Sequence, residues 1–174
     1  MNNTPYQNLW IKSALFLCGC YWFLIACSSE FIILHDSIGY EQAGRLINTQ
    51  GWIEYFRTGP NREPFYPFLI SLSMKIGDFF SISFESILIL IQICLLYLTQ
   101  LITLRILNIL KIHQIISALT VLYMGFSPAL VNSTFCLFSE IAAFPIVPAI
   151  VLVSFYAIKS IQGLNASSLI SART

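Results

Sequence analysis

Long apolar runs alternate with polar stretches along this chain, and one polar stretch is much longer than the others. Each apolar run approaches or exceeds the roughly 20 residues that cross a bilayer as a helix. The pattern predicts an all-α integral membrane protein with about four transmembrane helices and short juxtamembrane helices in a large first outer loop. The uncharged runs are residues 13–29, 86–104, 112–139 and 141–158. The predicted spans lie near 10–33, 84–108, 112–135 and 140–159.

Composition agrees with this class. Hydrophobic residues make up 57% of the chain and charged residues only 10%, which is too little charge to cover a water-facing surface. We therefore expect residues 1–174 to form a single transmembrane domain with the lipid bilayer as its surroundings. The basic residues are few and dispersed, which argues against nucleic acid as a partner.

Charge is distributed unevenly between the two ends of the predicted spans. Seven of the eight carboxylates lie between Glu30 and Glu85, and the eighth is Glu140. Basic residues at the opposite ends predict a cytoplasmic N-terminus by the positive-inside rule. The outer loop then covers residues 35–83, and Glu140 lies in a tight outer turn. The basic residues at the cytoplasmic ends are Lys12, Arg105, Lys111, Lys159 and Arg173.

The segment 64–80 is apolar but too short to cross, because its uncharged part ends at Lys75. Pro64 and Pro67 suit a first helical turn. Apolar residues at helical spacing predict an interfacial or re-entrant helix that holds the outer loop against the membrane. That stripe consists of Phe65, Phe68, Leu69, Leu72 and Ile76.

The sequence indicates no cofactor and no metal site, and a divalent ion is left open as an alternative. The five cysteines form no CxxC pair or metal-spaced cluster. The predicted topology places His35 and His113 on opposite faces of the membrane. Phosphate-binding glycine loops and zinc motifs are absent from the sequence.

Candidate chemistry begins at Asp36, where the first span emerges. The residues after it have helical spacing and reach Gly51, so Asp36 is at an N-cap position. Helix capping is one interpretation of this acid, and a functional group at the membrane edge is the other. The two roles are compatible.

A pattern of short motifs runs through this loop, the third span and the turn after it, and consists of Asp36, Tyr40, Ala43, Gly51, Arg62, Pro64, Tyr66, Pro67, Pro128, Ser139 and Glu140. This pattern resembles the start of the GT-C membrane glycosyltransferases. The closest likeness is to the family 39 group, which includes protein O-mannosyltransferases and the lipid A aminoarabinose transferase. Ser37 stands where that group often has a second acid. The likeness covers the N-terminal portion of such enzymes, so we expect the front part of an enzyme, a truncated product or a shortened relative.

The resemblance implies transfer of a sugar from a polyprenyl-phosphate carrier to an acceptor outside a bacterial inner membrane. On this hypothesis Asp36 is the general base for the acceptor hydroxyl. Arg57 and Arg62 are candidates for the donor phosphate, because a guanidinium offers two parallel donors to its oxygens. The remaining substrate-binding candidates are Tyr40 and Tyr66 for the sugar, and Glu63 and Glu140 for orienting the acceptor or holding the loop helices together.

Two other classes of function remain open. The chain could be a small non-enzymatic membrane protein, or an inactive remnant, whose loop packs on a partner. A transporter would instead place a path near Pro145 and Pro148, since broken helices often line such sites.

Overall fold

The computed structural model describes residues 7–33, 37–59 and 62–171, and within these ranges the regular elements are helices. Three helices are long and apolar enough to cross a membrane, and a bent pair of helices gives a fourth candidate. The prediction of an all-α membrane protein with about four spans is confirmed. The helices are α1 (Gln7–Ser28), α2 (Ser37–Arg57), α3 (Phe65–Phe80), α4 (Phe84–Ile109), α5 (Gln114–Phe126), α6 (Pro128–Phe135) and α7 (Glu140–Ser171).

The first span is shorter than predicted, because α1 ends at Ser28 instead of continuing to residue 33. The Ser28 hydroxyl donates to the carbonyl of Leu24, and the polar residues Ser29 and Glu30 follow. The chain then becomes extended, and Ile32 forms a parallel bridge with Cys136.

The predicted third span is broken. Helices α5 and α6 meet at Ser127 with a bend of 47°. Pro128 explains the break, because proline lacks the N–H that would continue the helix and disfavours helical geometry at the preceding residue. Ser127 has extended backbone angles (φ −61°, ψ 118°), and its carbonyl accepts from Val131 as α6 begins.

Side chains from neighbouring spans satisfy carbonyls near the break. The Trp22 indole donates to the carbonyl of Gly125 at 2.9 Å, and the Gln100 amide donates to that of Val121 at 3.1 Å. Helix α1 lies so close to α5 that a side chain at Gly125 would collide with Cys18. Buried polar groups need such partners within a membrane bundle, so these bonds stabilise the bent geometry.

Helix α7 is a single helix through both Pro145 and Pro148. The broken helix that the transporter interpretation expects near Pro145 and Pro148 is therefore not found there, and the break among the described residues lies between α5 and α6. Helix α7 packs on α4, and α1 packs on α5.

The outer-loop helices pack on each other and on the bundle. Helix α3 contacts α2 on one side and α4 on the other. Its first turn contains Pro67 and its N-cap is Pro64, as predicted. Of the predicted apolar stripe only Leu69 is buried, whereas Phe65 and Phe68 are exposed. The face of α3 within the protein carries Tyr66, Ile70, Ser73, Met74 and Gly77.

Candidate functional site

Two loop segments that are far apart in sequence meet at Tyr40. Its hydroxyl donates to the Glu63 carboxylate at 2.7 Å. The Arg62 guanidinium carbon lies 4.8 Å from the centre of the Tyr40 ring, within the range of a cation–π contact. The structure therefore brings together three of the predicted site residues.

The contacts of Tyr40 with Arg62 and Glu63 depend on the close packing of α2 against α3. The inward face of α2 carries Ser37, Tyr40, Gly44 and Ile47 at helical spacing, and all four are buried. A Cβ at Gly44 would lie 2.5 Å from the Ile70 side chain and 3.3 Å from the Pro67 carbonyl. Only glycine allows the two backbones to lie this close, and their spacing sets the distance from Tyr40 to the start of α3.

The predicted end of the first loop helix at Gly51 is confirmed in part. Gly51 has φ 83° and ψ −179°, which interrupts the helical geometry, yet helical residues resume and continue to Arg57. Glycine adopts this positive φ without steric cost. The turn after it places the Tyr55 hydroxyl where it donates to the Arg62 carbonyl at 2.9 Å.

A hollow of about 570 Å³ lies beside the Tyr40 cluster. Arg62 lines it, and Tyr55 closes one side while being almost completely buried. Its volume is within the range of small-molecule sites, and polar and aliphatic groups both face it. The other lining residues are Gly39, Gln42, Ala43, Leu46 and Thr58.

Tyr66 packs against Tyr40 and is fully buried. Its ring meets that of Tyr40 edge to face, with centroids 5.4 Å apart. The Gln92 amide donates to the Tyr66 hydroxyl at 2.6 Å and also lies 3.3 Å from the Cys136 carbonyl. Tyr66 thus connects α3 to α4 and supports Tyr40.

The surroundings of the site favour the ionised form of the Glu63 carboxyl group and the neutral form of the tyrosine side chains. The pKa of Glu63 is lowered, chiefly by hydrogen bonding to its own backbone N–H and then by the Tyr40 hydroxyl. Burial raises the pKa of Tyr40, Tyr55 and Tyr66. At neutral pH the cluster therefore contains an ionised carboxylate that accepts hydrogen bonds and phenol groups that donate them.

Ser139 and Glu140 join the site from the segment before α7. The Ser139 side chain interacts with both Tyr40 and Glu63 and lowers the pKa of each. Glu140 is exposed at the first position of α7, and its charge raises the pKa of Tyr66. The Ser-Glu pair of the resemblance thus lies beside the loop residues.

Arg57 is separate from the hollow. Its side chain is 79% exposed and pairs with Glu54 at 3.6 Å within the same helix. It is not among the residues that line the hollow. Its predicted contact with a donor phosphate has no support from this geometry.

Asp36 and His35 lie outside the described residues. The described residues on either side of them are both held by the segment before α7. Backbone hydrogen bonds join Ile32 to Phe135 and Leu137, and the Ser37 hydroxyl donates to the Leu137 carbonyl at 2.7 Å. Ser37 therefore has a structural partner.

Sequence reasoning missed Tyr55 and Gln92. Tyr55 resembled many other aromatic residues in the loop, and nothing in its spacing distinguished it. Gln92 did carry a signal, because an uncharged polar side chain within a long apolar run needs a partner inside the bundle. Its buried Oε1 atom has no hydrogen-bond partner within the described part of the chain.

Where the chain is described, no three His, Cys, Asp or Glu side chains gather into a possible metal site. No protein-family model matches the chain, and neither a curated protein nor a solved structure is significantly similar to it.

Proposed function

We propose that this chain is a membrane glycosyltransferase, or the loop-bearing part of one. It would transfer a sugar from a polyprenyl-phosphate donor to an acceptor outside the cell membrane. The observation that carries the proposal is the meeting of Tyr40, Arg62 and Glu63 beside a hollow. These residues come from the two loop motifs on which the family resemblance rests.

The proposed reaction is a displacement at the anomeric carbon of the sugar. The Asp36 carboxylate takes the proton of the acceptor hydroxyl, whose oxygen forms the new bond to that carbon. The bond from carbon to phosphate oxygen breaks, and polyprenyl phosphate leaves with the bonding electrons. Arg62 would stabilise the charge on the departing phosphate.

The residues around Tyr40 would position Asp36 and Arg62 for this reaction. Glu63 and Tyr40 join the start of α3 to α2 and hold the Arg62 segment against the Tyr40 ring. Tyr55 fixes the same segment through the Arg62 carbonyl. Tyr66 would support Tyr40, and Glu140 would orient an acceptor.

The proposed location is a bacterial inner membrane with a cytoplasmic N-terminus. The ends of α1 and α4 that carry Lys12 and Arg105 are opposite the candidate site, and short basic loops favour the cytoplasm. Reporter fusions at residues 55 and 110 should respond on opposite sides of the membrane. The same side for both would overturn this topology.

Arg62→Lys tests the phosphate role, with Arg57→Lys as its matched control. Lysine keeps the charge but loses the bidentate fork, so Arg62→Lys should increase the donor concentration needed for half-maximal transfer roughly tenfold. Arg57→Lys should leave it unchanged, because Arg57 does not line the hollow. Membranes containing each variant would be supplied with polyprenyl-phosphate mannose and, separately, with polyprenyl-phosphate aminoarabinose. Equal donor dependence in both variants and the wild type would remove Arg62 from the phosphate site.

A further inference from the structure

A second hollow lies at the opposite end of the bundle from the candidate site. It has a volume of about 260 Å³ and lies between α1, α4 and the start of α5. Its polar lining consists of Arg105, Asn108, Gln114 and Ser117, and aliphatic side chains complete it. Nothing in the proposed sugar transfer uses these residues.

Charge at this end of the bundle favours an anion. Lys12 lies near the start of α1, and Arg105 and Lys111 lie at and just after the end of α4, while the described carboxylates belong to the opposite end. Among the described residues Arg105 has no carboxylate partner. A guanidinium without a carboxylate partner is well suited to a phosphate oxygen.

Arg105 is held in place by α7. Its Nε donates to the Tyr156 hydroxyl at 3.1 Å. This bond uses one of the five donors of the guanidinium and leaves the terminal nitrogens for a ligand. Fixing the side chain before binding reduces the entropy lost when an anion is bound.

Gln114 adds a second chemical requirement for a ligand of this hollow. Its Oε1 atom is buried and has no hydrogen-bond partner within the described residues. An amide oxygen accepts hydrogen bonds only, so a ligand group that pairs with it is a donor such as a hydroxyl group. A ligand that satisfies both Arg105 and Gln114 therefore carries an anionic oxygen and a hydroxyl group.

An apolar groove of about 480 Å³ is lined by residues of α1 and α4 that neighbour those of this hollow. Tyr97 lines the groove and Leu101 lines the hollow, and these residues are one turn apart on α4. On α1 the groove begins at Lys12 and passes Phe16, Gly19 and Phe23. An anion site beside an apolar groove matches the two parts of a phospholipid.

We infer that the basic end of the bundle binds an anionic glycerophospholipid whose headgroup carries a hydroxyl. Its phosphate contacts Arg105, its headgroup hydroxyl donates to Gln114, and one acyl chain lies in the groove beside Gly19. This inference is independent of the proposed glycosyl transfer.

Lipid retention by the purified full chain tests the inference. Native mass spectrometry would compare phosphatidylglycerol with phosphatidylcholine in the same detergent. Wild-type protein should retain phosphatidylglycerol preferentially, and Arg105→Gln should weaken that retention roughly ten- to hundredfold. Lys111→Gln is the matched control, because it removes the same charge nearby without lining the hollow. An equal loss of phosphatidylglycerol retention in the two variants would indicate binding to a diffuse basic surface and would contradict a defined site at Arg105.

Two further comparisons test the headgroup hydroxyl and the acyl chain of the lipid separately. Phosphatidylmethanol is anionic but lacks the headgroup hydroxyl, so the wild type should prefer phosphatidylglycerol, and Gln114→Leu should abolish that preference. Preference retained in Gln114→Leu would overturn the hydroxyl contact. Glycerol phosphate should not displace the lipid at equal concentration, and equal displacement would indicate a free-anion site instead. Unfolding temperatures without added lipid verify that each variant is folded.

Discussion

The Tyr40 hydroxyl donates a 2.7 Å hydrogen bond to Glu63, and this bond joins the first loop helix to the segment that precedes α3. Tyr40 is only 6% exposed, whereas Glu63 is exposed to solvent. The bond therefore belongs to a buried donor and an accessible acceptor. It holds the neighbouring Arg62 guanidinium over the Tyr40 ring.

Tyr40→Phe removes this bond and retains the ring. The variant should lose about 1 kcal/mol of folding free energy, because the exposed carboxylate regains water when its partner is removed. Thermal unfolding in detergent measures the effect. Tyr123→Phe is the control, since Tyr123 is 75% exposed. An equal unfolding temperature for the two variants would mean that the Tyr40 bond contributes nothing.

Glu63 gives the site a pH dependence of stability. Its pKa is below its usual 4.5 in the folded protein because a backbone N–H and the Tyr40 hydroxyl stabilise the carboxylate. The stabilisation is therefore complete above the unfolded pKa and is lost as pH falls through the folded pKa. Unfolding temperatures of the wild type and Glu63→Gln should differ at neutral pH and converge as the pH falls through the folded pKa of Glu63, which lies below 4.5. A difference that persists or grows in acid would contradict this sign.

Gly44→Ala tests the close approach of α2 and α3. The added methyl would overlap the Ile70 side chain, so the two helices must separate at a cost of about 1–3 kcal/mol. Gly19→Ala is the control, because a Cβ there meets nothing within 4 Å. Unfolding temperature should fall in the first variant and stay constant or rise in the second. A stable Gly44→Ala protein would show that the spacing is not enforced.

A double-mutant cycle measures the bond between Gln92 and Tyr66. Tyr66→Phe and Gln92→Leu should each destabilise the fold by about 1–3 kcal/mol, because each leaves a buried polar group without its partner. The double variant should cost less than the sum, with a coupling of about 1 kcal/mol. Additive effects would mean that this 2.6 Å contact carries no interaction energy.

Much of the fold could be predicted because the apolar runs are long and the charged residues cluster. The break between α5 and α6 could not, although Pro128 was visible in the sequence. Proline occurs in many continuous membrane helices, as Pro145 and Pro148 in α7 illustrate. Whether a helix bends at a proline depends on partners from other helices, such as Trp22 and Gln100 here.

The site was predictable in its residues but not in its pairings. Tyr40 and Arg62 were identified by motif and Glu63 as a neighbouring candidate, yet their contact depends on the α2–α3 packing that Gly44 allows. The buried face of α3 could not be predicted from the sequence either. That helix is apolar on several sides, so spacing alone did not separate buried Tyr66 from exposed Phe68.

The central claim is that Asp36 activates an acceptor for sugar transfer from a polyprenyl-phosphate donor. The most direct measurement compares transfer by membranes containing the wild-type chain and the Asp36→Asn variant, at equal protein level and with saturating polyprenyl-phosphate mannose or aminoarabinose. Asparagine keeps the shape of the side chain but cannot take the proton, so the transfer rate should fall about 10²–10⁴-fold while the donor still binds. Transfer at the wild-type rate by Asp36→Asn would contradict the account.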